Sequence, residues 1–141
     1  EDTKVLLANA DFGILSTVGK NNSQYGIPMN FVYTDEALYL HCALEGKKLD
    51  NIENCTNICF TVIGDVEVMP AAFATKYKSA ILLGTIMVVE DIEEKRKGLI
   101  AMLEKYSPDF YKAGLDYIDN AFEKTKVLKI KVSQISGKVR L

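Results

Sequence analysis

His41 is the only histidine in the 141 residues, and it stands at the end of an apolar run shortly before Gly46, Lys47 and Lys48. An imidazole is the side chain that ordinarily exchanges a proton near neutral pH, so His41 is the candidate acid–base group. After Gly46, Leu49 and Ile52 are spaced for one or two helical turns with a single buried stripe. Lys47 and Lys48 then fall at a helix start, where backbone N–H groups lack partners and the dipole is positive. An anion fits there, a phosphate best, because glycine admits it to the backbone and two ammonium groups neutralise it. The same residues also make a plain solvated helix start, and spacing alone favours that role.

Other chemistries find less support. Cys42, Cys55 and Cys59 are odd in number, form no CxxC and lie away from any histidine cluster. A zinc site and a disulfide framework are therefore not expected, and the thiols suit a reducing, cytoplasmic setting. The net charge of -2 gives no general attraction to nucleic acid or to an anionic membrane surface. No apolar run approaches the ~20 residues that span a bilayer. The opening Glu1-Asp2-Thr3-Lys4 contains neither an initiator methionine nor a signal-like stretch, which suits a chain trimmed at its start.

The elements that must hold these residues read as one mainly β domain over 1–141. A helix end over Thr3 to Ala10 precedes strands at Phe12–Val18, Tyr25–Tyr33 and Ala37–His41. Pro28 cannot donate to a ladder, so its strand needs an edge, a bulge or a bend. A fourth strand covers Asn57–Gly64, an irregular crossing loop Asp65–Thr75, and a long fifth strand Tyr77–Val89. Asp91 with Glu94 has capping-box spacing, opening a helix from Ile92 to about Tyr106 whose stripe is Ile92, Leu99, Leu103 and Tyr106. A weaker helix spans roughly 113–122. The sixth strand, Thr125–Val132, alternates Leu128, Ile130 and Val132 with lysines. Gly13 and Gly84 suit packing or bulge positions. Strands in hairpins with helices inserted late indicate a six-stranded antiparallel barrel.

The blocks Gly13–Val18, Gly26–Tyr33, Leu38–Ala43 and Gly46–Ile52 resemble the pyridoxamine-phosphate-oxidase-like, FMN-binding split barrels. Within that family they resemble the nitroimidazole-resistance-type branch, which Asn57–Gly64, Tyr77–Gly84 and Ile135–Lys138 also fit. The resemblance implies a homodimer with two FMN sites at the subunit interface. It puts the flavin phosphate against Lys47 and Lys48. Pro28, Met29, Asn30, Phe31 and Tyr33 match the strand beside the isoalloxazine ring, with Asn30 facing its polar edge. His41, Cys42 and Ala43 match the strand end beside the ribityl chain and ring, and Ser79 is a further cofactor contact.

The implied activity is transfer of electrons from a reduced nicotinamide, NAD(P)H, to a small acceptor such as a nitroaromatic, with His41 as the catalytic candidate. A non-catalytic flavin carrier and a haem-handling protein using His41 are the alternatives. Arg140 alone does not supply the arginine-rich segment of true pyridoxamine-phosphate oxidases, so their reaction is not expected.

Overall fold

The computed structural model describes residues 2–141. All seven strands join one antiparallel sheet, in the order β2-β1-β5-β6-β7-β4-β3. They are β1 (Gly13–Val18), β2 (Gln24–Met29), β3 (Val32–Thr34), β4 (Ala37–Cys42), β5 (Asn57–Met69), β6 (Ala74–Val88) and β7 (Lys126–Arg140). The helices are α1 (Asp2–Asn9), α2 (Lys47–Asn54), α3 (Ile92–Tyr106) and α4 (Tyr111–Ala121).

Six strands were expected and seven form, because the stretch read as one strand over Tyr25–Tyr33 is divided. Its halves, β2 and β3, lie at opposite edges of the sheet. Asn30 and Phe31 carry the chain between them. The sheet curls into a split barrel that is not closed by hydrogen bonds. Pro28 sits in β2 opposite Ile14, on an edge strand where a missing N–H is tolerated.

Alternate residues of the strands fill the barrel. Leu15, Leu38, Leu40, Phe60, Val62, Leu82, Leu128 and Ile130 are all fully buried, and Leu6 and Leu7 of α1 join them. Phe31 meets Phe60 edge-on, with ring centroids 5.1 Å apart. A second apolar cluster lies on the other face of β4 and β7. There Tyr39 and Val127 pack under Leu99 and Met102 of α3 and Ile118 of α4. The capping expectation holds: the Glu94 N–H donates to Asp91 Oδ2 at 2.9 Å. Helix α3 runs over Ile92–Tyr106 as the spacing indicated.

Two expectations are corrected. Asp65–Thr75 is not an irregular loop: β5 continues to Met69, and a short turn over Pro70–Ala72 leads into β6 at Ala74. β7 likewise runs to Arg140, well past Val132. These extensions pair beyond the barrel, so neither face is deeply buried; the Asp65-Val66-Glu67-Val68 alternation that could have shown the first is cut short by Pro70. Gly84 lies at a bulge between β6 and β7. A Cβ there would come within 2.2 Å of the Lys131 carbonyl oxygen, so only glycine fits. Among the described residues no helix is long and apolar enough to cross a membrane.

Candidate functional site

The end of β4 and the start of α2 form one corner. Leu38 and Leu40 point into the barrel, while Tyr39 packs under α3. Gly46 precedes α2 with φ 152° and ψ 171°, and no side chain caps the helix. A Cβ on Gly46 would meet nothing within 4 Å, so the approach to the helix start is open. Asn51, buried in α2, donates to Thr17 Oγ1 at 3.0 Å and fixes the helix against β1.

The charges that act on Cys42 and His41 are positive. Burial raises the Cys42 thiol pKa, and the two charges that act against that rise are Lys48 and Lys126. Burial, and then Lys48, holds the His41 pKa below the ordinary histidine value. His41 is therefore neutral at pH 7 although its edge reaches solvent. Lys47 faces the other way, its Nζ 5.3 Å from the Tyr25 ring centre. It opens onto a hollow of about 990 Å³ that Lys20 shares with Glu45, Asp50 and Glu53. Three carboxylates make that hollow a poor home for a dianion. On the other side, Lys48 and Lys126 make the end of β4 positive.

The break between β2 and β3 is the second part of the site. Asn30 donates from Nδ2 to the Asp11 carbonyl at 2.8 Å. The Tyr106 hydroxyl accepts the Phe31 N–H at 3.0 Å and reaches the carbonyls of Asp11 (2.7 Å) and Phe31 (2.9 Å). The ammonium of Lys105 donates to the Phe31 carbonyl at 2.9 Å and lies 3.8 Å from the centre of the Phe31 ring. Burial pushes the Lys105 pKa down to about 8, partly offset by Asp11.

Among the residues singled out from sequence, His41 and Asn30 line a common cavity of about 550 Å³ between the sheet and helices α3 and α4. Lys48 acts on both His41 and Cys42. Met29 and Cys42 are half-buried against the barrel core, and Ala43 is exposed. The Phe31 side chain is fully buried in the barrel core. Tyr33 packs partly on the core and lines a different hollow with Met87 and Lys131. Pro28 lies in β2 and Ser79 in β6. They share the outward face of the sheet, through the pairs Pro28–Ile14, Ile14–Thr61 and Thr61–Ile81, with Ser79 beside Ile63.

Sequence reasoning missed Lys105, Lys126 and the polar role of Tyr106. The tyrosine was read as part of an apolar stripe, and its position in the last turn before Ser107-Pro108 was the available signal.

The chain matches the family model described as "Pyridoxamine 5'-phosphate oxidase" over residues 1–139. No protein with a curated description matches it. Among solved structures, it is 29% identical to a putative 5-nitroimidazole antibiotic resistance protein from Bacteroides thetaiotaomicron, covering 95% of this chain and 80% of that one, with a TM-score of 0.81. The flavocytochrome Anf3 from Azotobacter vinelandii is 22% identical over 98% of this chain and 65% of its own, TM-score 0.80. The FAD and haem binding protein from Mycobacterium smegmatis is 19% identical over 99% of this chain and 71% of its own, TM-score 0.79. The last two, at such identity, establish the split-barrel fold alone.

Proposed function

The chain belongs to the pyridoxamine 5'-phosphate oxidase family, and from that membership we propose that it is an FMN-binding oxidoreductase, passing electrons from reduced nicotinamide to a small acceptor such as a nitroaromatic. The observation that carries the reading is the positive corner at the end of β4. Lys48 and Lys126 there both act on Cys42, beside a helix start that no side chain caps. Lys48 and Lys126 hold the phosphate as charge-assisted hydrogen-bond donors, and Lys47, which starts the same helix, adds its positive charge. Bound flavin supplies the redox chemistry.

The chain's residues bind and orient. Asn30, at the strand break, offers its amide to the polar edge of the ring. His41 is neutral at working pH, so it receives or donates a hydrogen bond without adding charge. The resemblance to the Bacteroides protein named for 5-nitroimidazole resistance supports a nitroaromatic among the acceptors.

The partner in this proposal is a second copy of the chain. Ile63, Ile81 and Leu83 point outward from adjacent strands and are each at least 41% exposed. Contiguous apolar surface of this kind marks a contact face. Burying it in a homodimer brings Pro28 and Ser79, which lie on the same face, to the subunit boundary where the flavin ring is proposed to sit.

A second reading rests on one observation. The His41 imidazole has no hydrogen-bond partner among the described residues, and its lowered pKa leaves a ring nitrogen free to ligate. Haem handling uses that nitrogen, with or without flavin turnover. The visible spectrum of the purified protein, before and after titration with FMN and then haem, tests both. FMN uptake supports the main reading, and a Soret band on haem addition supports the second. A colourless protein that takes up neither defeats both.

A further inference from the structure

The hairpin of β5 and β6 leaves the barrel as an arm. β1 pairs with β5 only as far as Val62, while β5 and β6 go on pairing to Met69 and Ala74. No residue from Met69 to Ala74 is charged. At this tip Phe73 is 95% exposed, with a φ of 52°. A bulky apolar side chain held in water on left-handed backbone does nothing for the single chain, and such strain persists where a contact uses it. Phe73 shares a hollow with Val68, Thr75 and Tyr77, on the outward side of the arm.

Along β6 the outward positions are Tyr77, Ser79, Ile81, Leu83, Thr85 and Met87, alternating with the buried Ala80, Leu82 and Ile86. The contact face proposed above, Ile63, Ile81 and Leu83, is therefore the middle of a longer strip. Three side chains are too few for a stable dimer, which takes about 20–30 residues from each copy. Exposed apolar residues extend the strip at both ends, with Val66, Val68 and Phe73 on the arm and Met87 opposite.

A two-fold axis crossing the strip at Ala80 runs the two β6 strands antiparallel. It sets Ser79 against the partner's Ile81, Tyr77 against the partner's Leu83, and Phe73 against the partner's Met87. Met87 borders a hollow of about 670 Å³ with Ala37, Val132 and Ile135, roomy enough for a phenyl ring. Each copy thus has an aromatic knob at one end of the strip and a hollow at the other, as a self-complementary contact requires. Two barrels that curve away from each other touch near their middles, and the arm supplies contact where they diverge.

We propose that the arm embraces a second copy of this chain, with Phe73 seated in the partner's hollow beside Met87. The inference rests on the outward face being the dimer contact and names the segment that locks it.

Phe73→Cys combined with Met87→Cys tests the register. The two positions lie at opposite ends of the 15-residue β6, on the order of 40 Å apart, so no disulfide joins them within one chain. Mild oxidation of the double variant is expected to give a covalent dimer on a non-reducing gel, with the 73–87 link read by peptide mass mapping. The mapping distinguishes that link from any made by the three native thiols. Phe73→Asp is expected to raise the dimer dissociation constant at least tenfold in sedimentation equilibrium, while the far-ultraviolet circular dichroism stays that of the unmodified chain.

A dimer that persists with neither the 73–87 link nor any effect of Phe73→Asp overturns the arm's place and leaves the outward face standing. A single-chain mass for the unmodified protein overturns both. Flotation of the unmodified chain with phosphatidylglycerol vesicles, lost in Phe73→Asp and with no 73–87 link, gives the tip to a lipid surface and likewise overturns the proposal.

Discussion

The Tyr106 hydroxyl and the backbone of Phe31 meet across 75 positions of sequence, the N–H donating at 3.0 Å and the carbonyl lying 2.9 Å away. This contact fixes the place where one strand leaves an edge of the sheet and begins again at the other. Tyr106→Phe removes the partner of a part-buried N–H and costs about 1–3 kcal/mol. The melting temperature falls by several degrees in calorimetry. A variant that melts with the unmodified chain shows that the junction is held otherwise.

Lys105 makes stability depend on pH in a defined window. Its folded pKa is about 8 and its ordinary value 10.5. Between these values the unfolded chain holds the extra proton, so raising the pH stabilises the fold. The expected gain between pH 7.5 and 9 is on the order of 1 kcal/mol, reduced from the ideal because the ammonium is only part-buried. Denaturant midpoints of the unmodified chain should rise over that interval relative to Lys105→Met. Parallel pH profiles for the two would show that the ammonium carries no such cost.

At the positive corner, charged hydrogen bonds are worth about 1.5–3 kcal/mol each. Lys47→Ala combined with Lys48→Ala is therefore expected to lower FMN affinity at least tenfold in a fluorescence titration, and Lys126→Ala to weaken it further. Lys20→Ala, on the hollow shared with three carboxylates, should change it little. Undiminished affinity in the double variant places the phosphate elsewhere.

The outward face is tested by charge. Ile81→Lys with Leu83→Lys puts two ammonium groups where two copies of the chain are proposed to meet. Sedimentation should give twice the chain mass for the unmodified protein and the single-chain mass for the variant. An unmodified protein that already sediments as one chain removes the dimer.

The sequence was most legible where burial is one-sided. The alternation of Leu128, Ile130 and Val132 gave β7 its core stretch, and Asp91 with Glu94 marked the start of α3. Gly46 with Lys47 and Lys48 marked the start of α2, which begins at Lys47 as the spacing indicated. What escaped depends on distant partners. Residues 67–75 pair as a ribbon with little burial, and the brief Asp65-Val66-Glu67-Val68 alternation ends at Pro70, so it reads too short for a strand. The division at Asn30 and Phe31 depends on groups contributed by Asp11, Lys105 and Tyr106. The cavity that Asn30 and His41 share is assembled from α3, α4 and β4, which the pattern of any one segment does not reveal.

Because β2 and β3 are successive pieces of one chain, the slit between the two rims of the sheet is riveted at one end by a two-residue link. Three Cα–Cα steps separate Met29 from Val32 and span at most about 11 Å, so the rims cannot separate further there without breaking a covalent bond. Any gaping must grow from the Gln24 and Thr34 ends and shrink to nothing at the rivet, as in a clasp purse. Asn30 sits at that immobile point, which gives the amide a steadiness that a residue midway along either rim would lack.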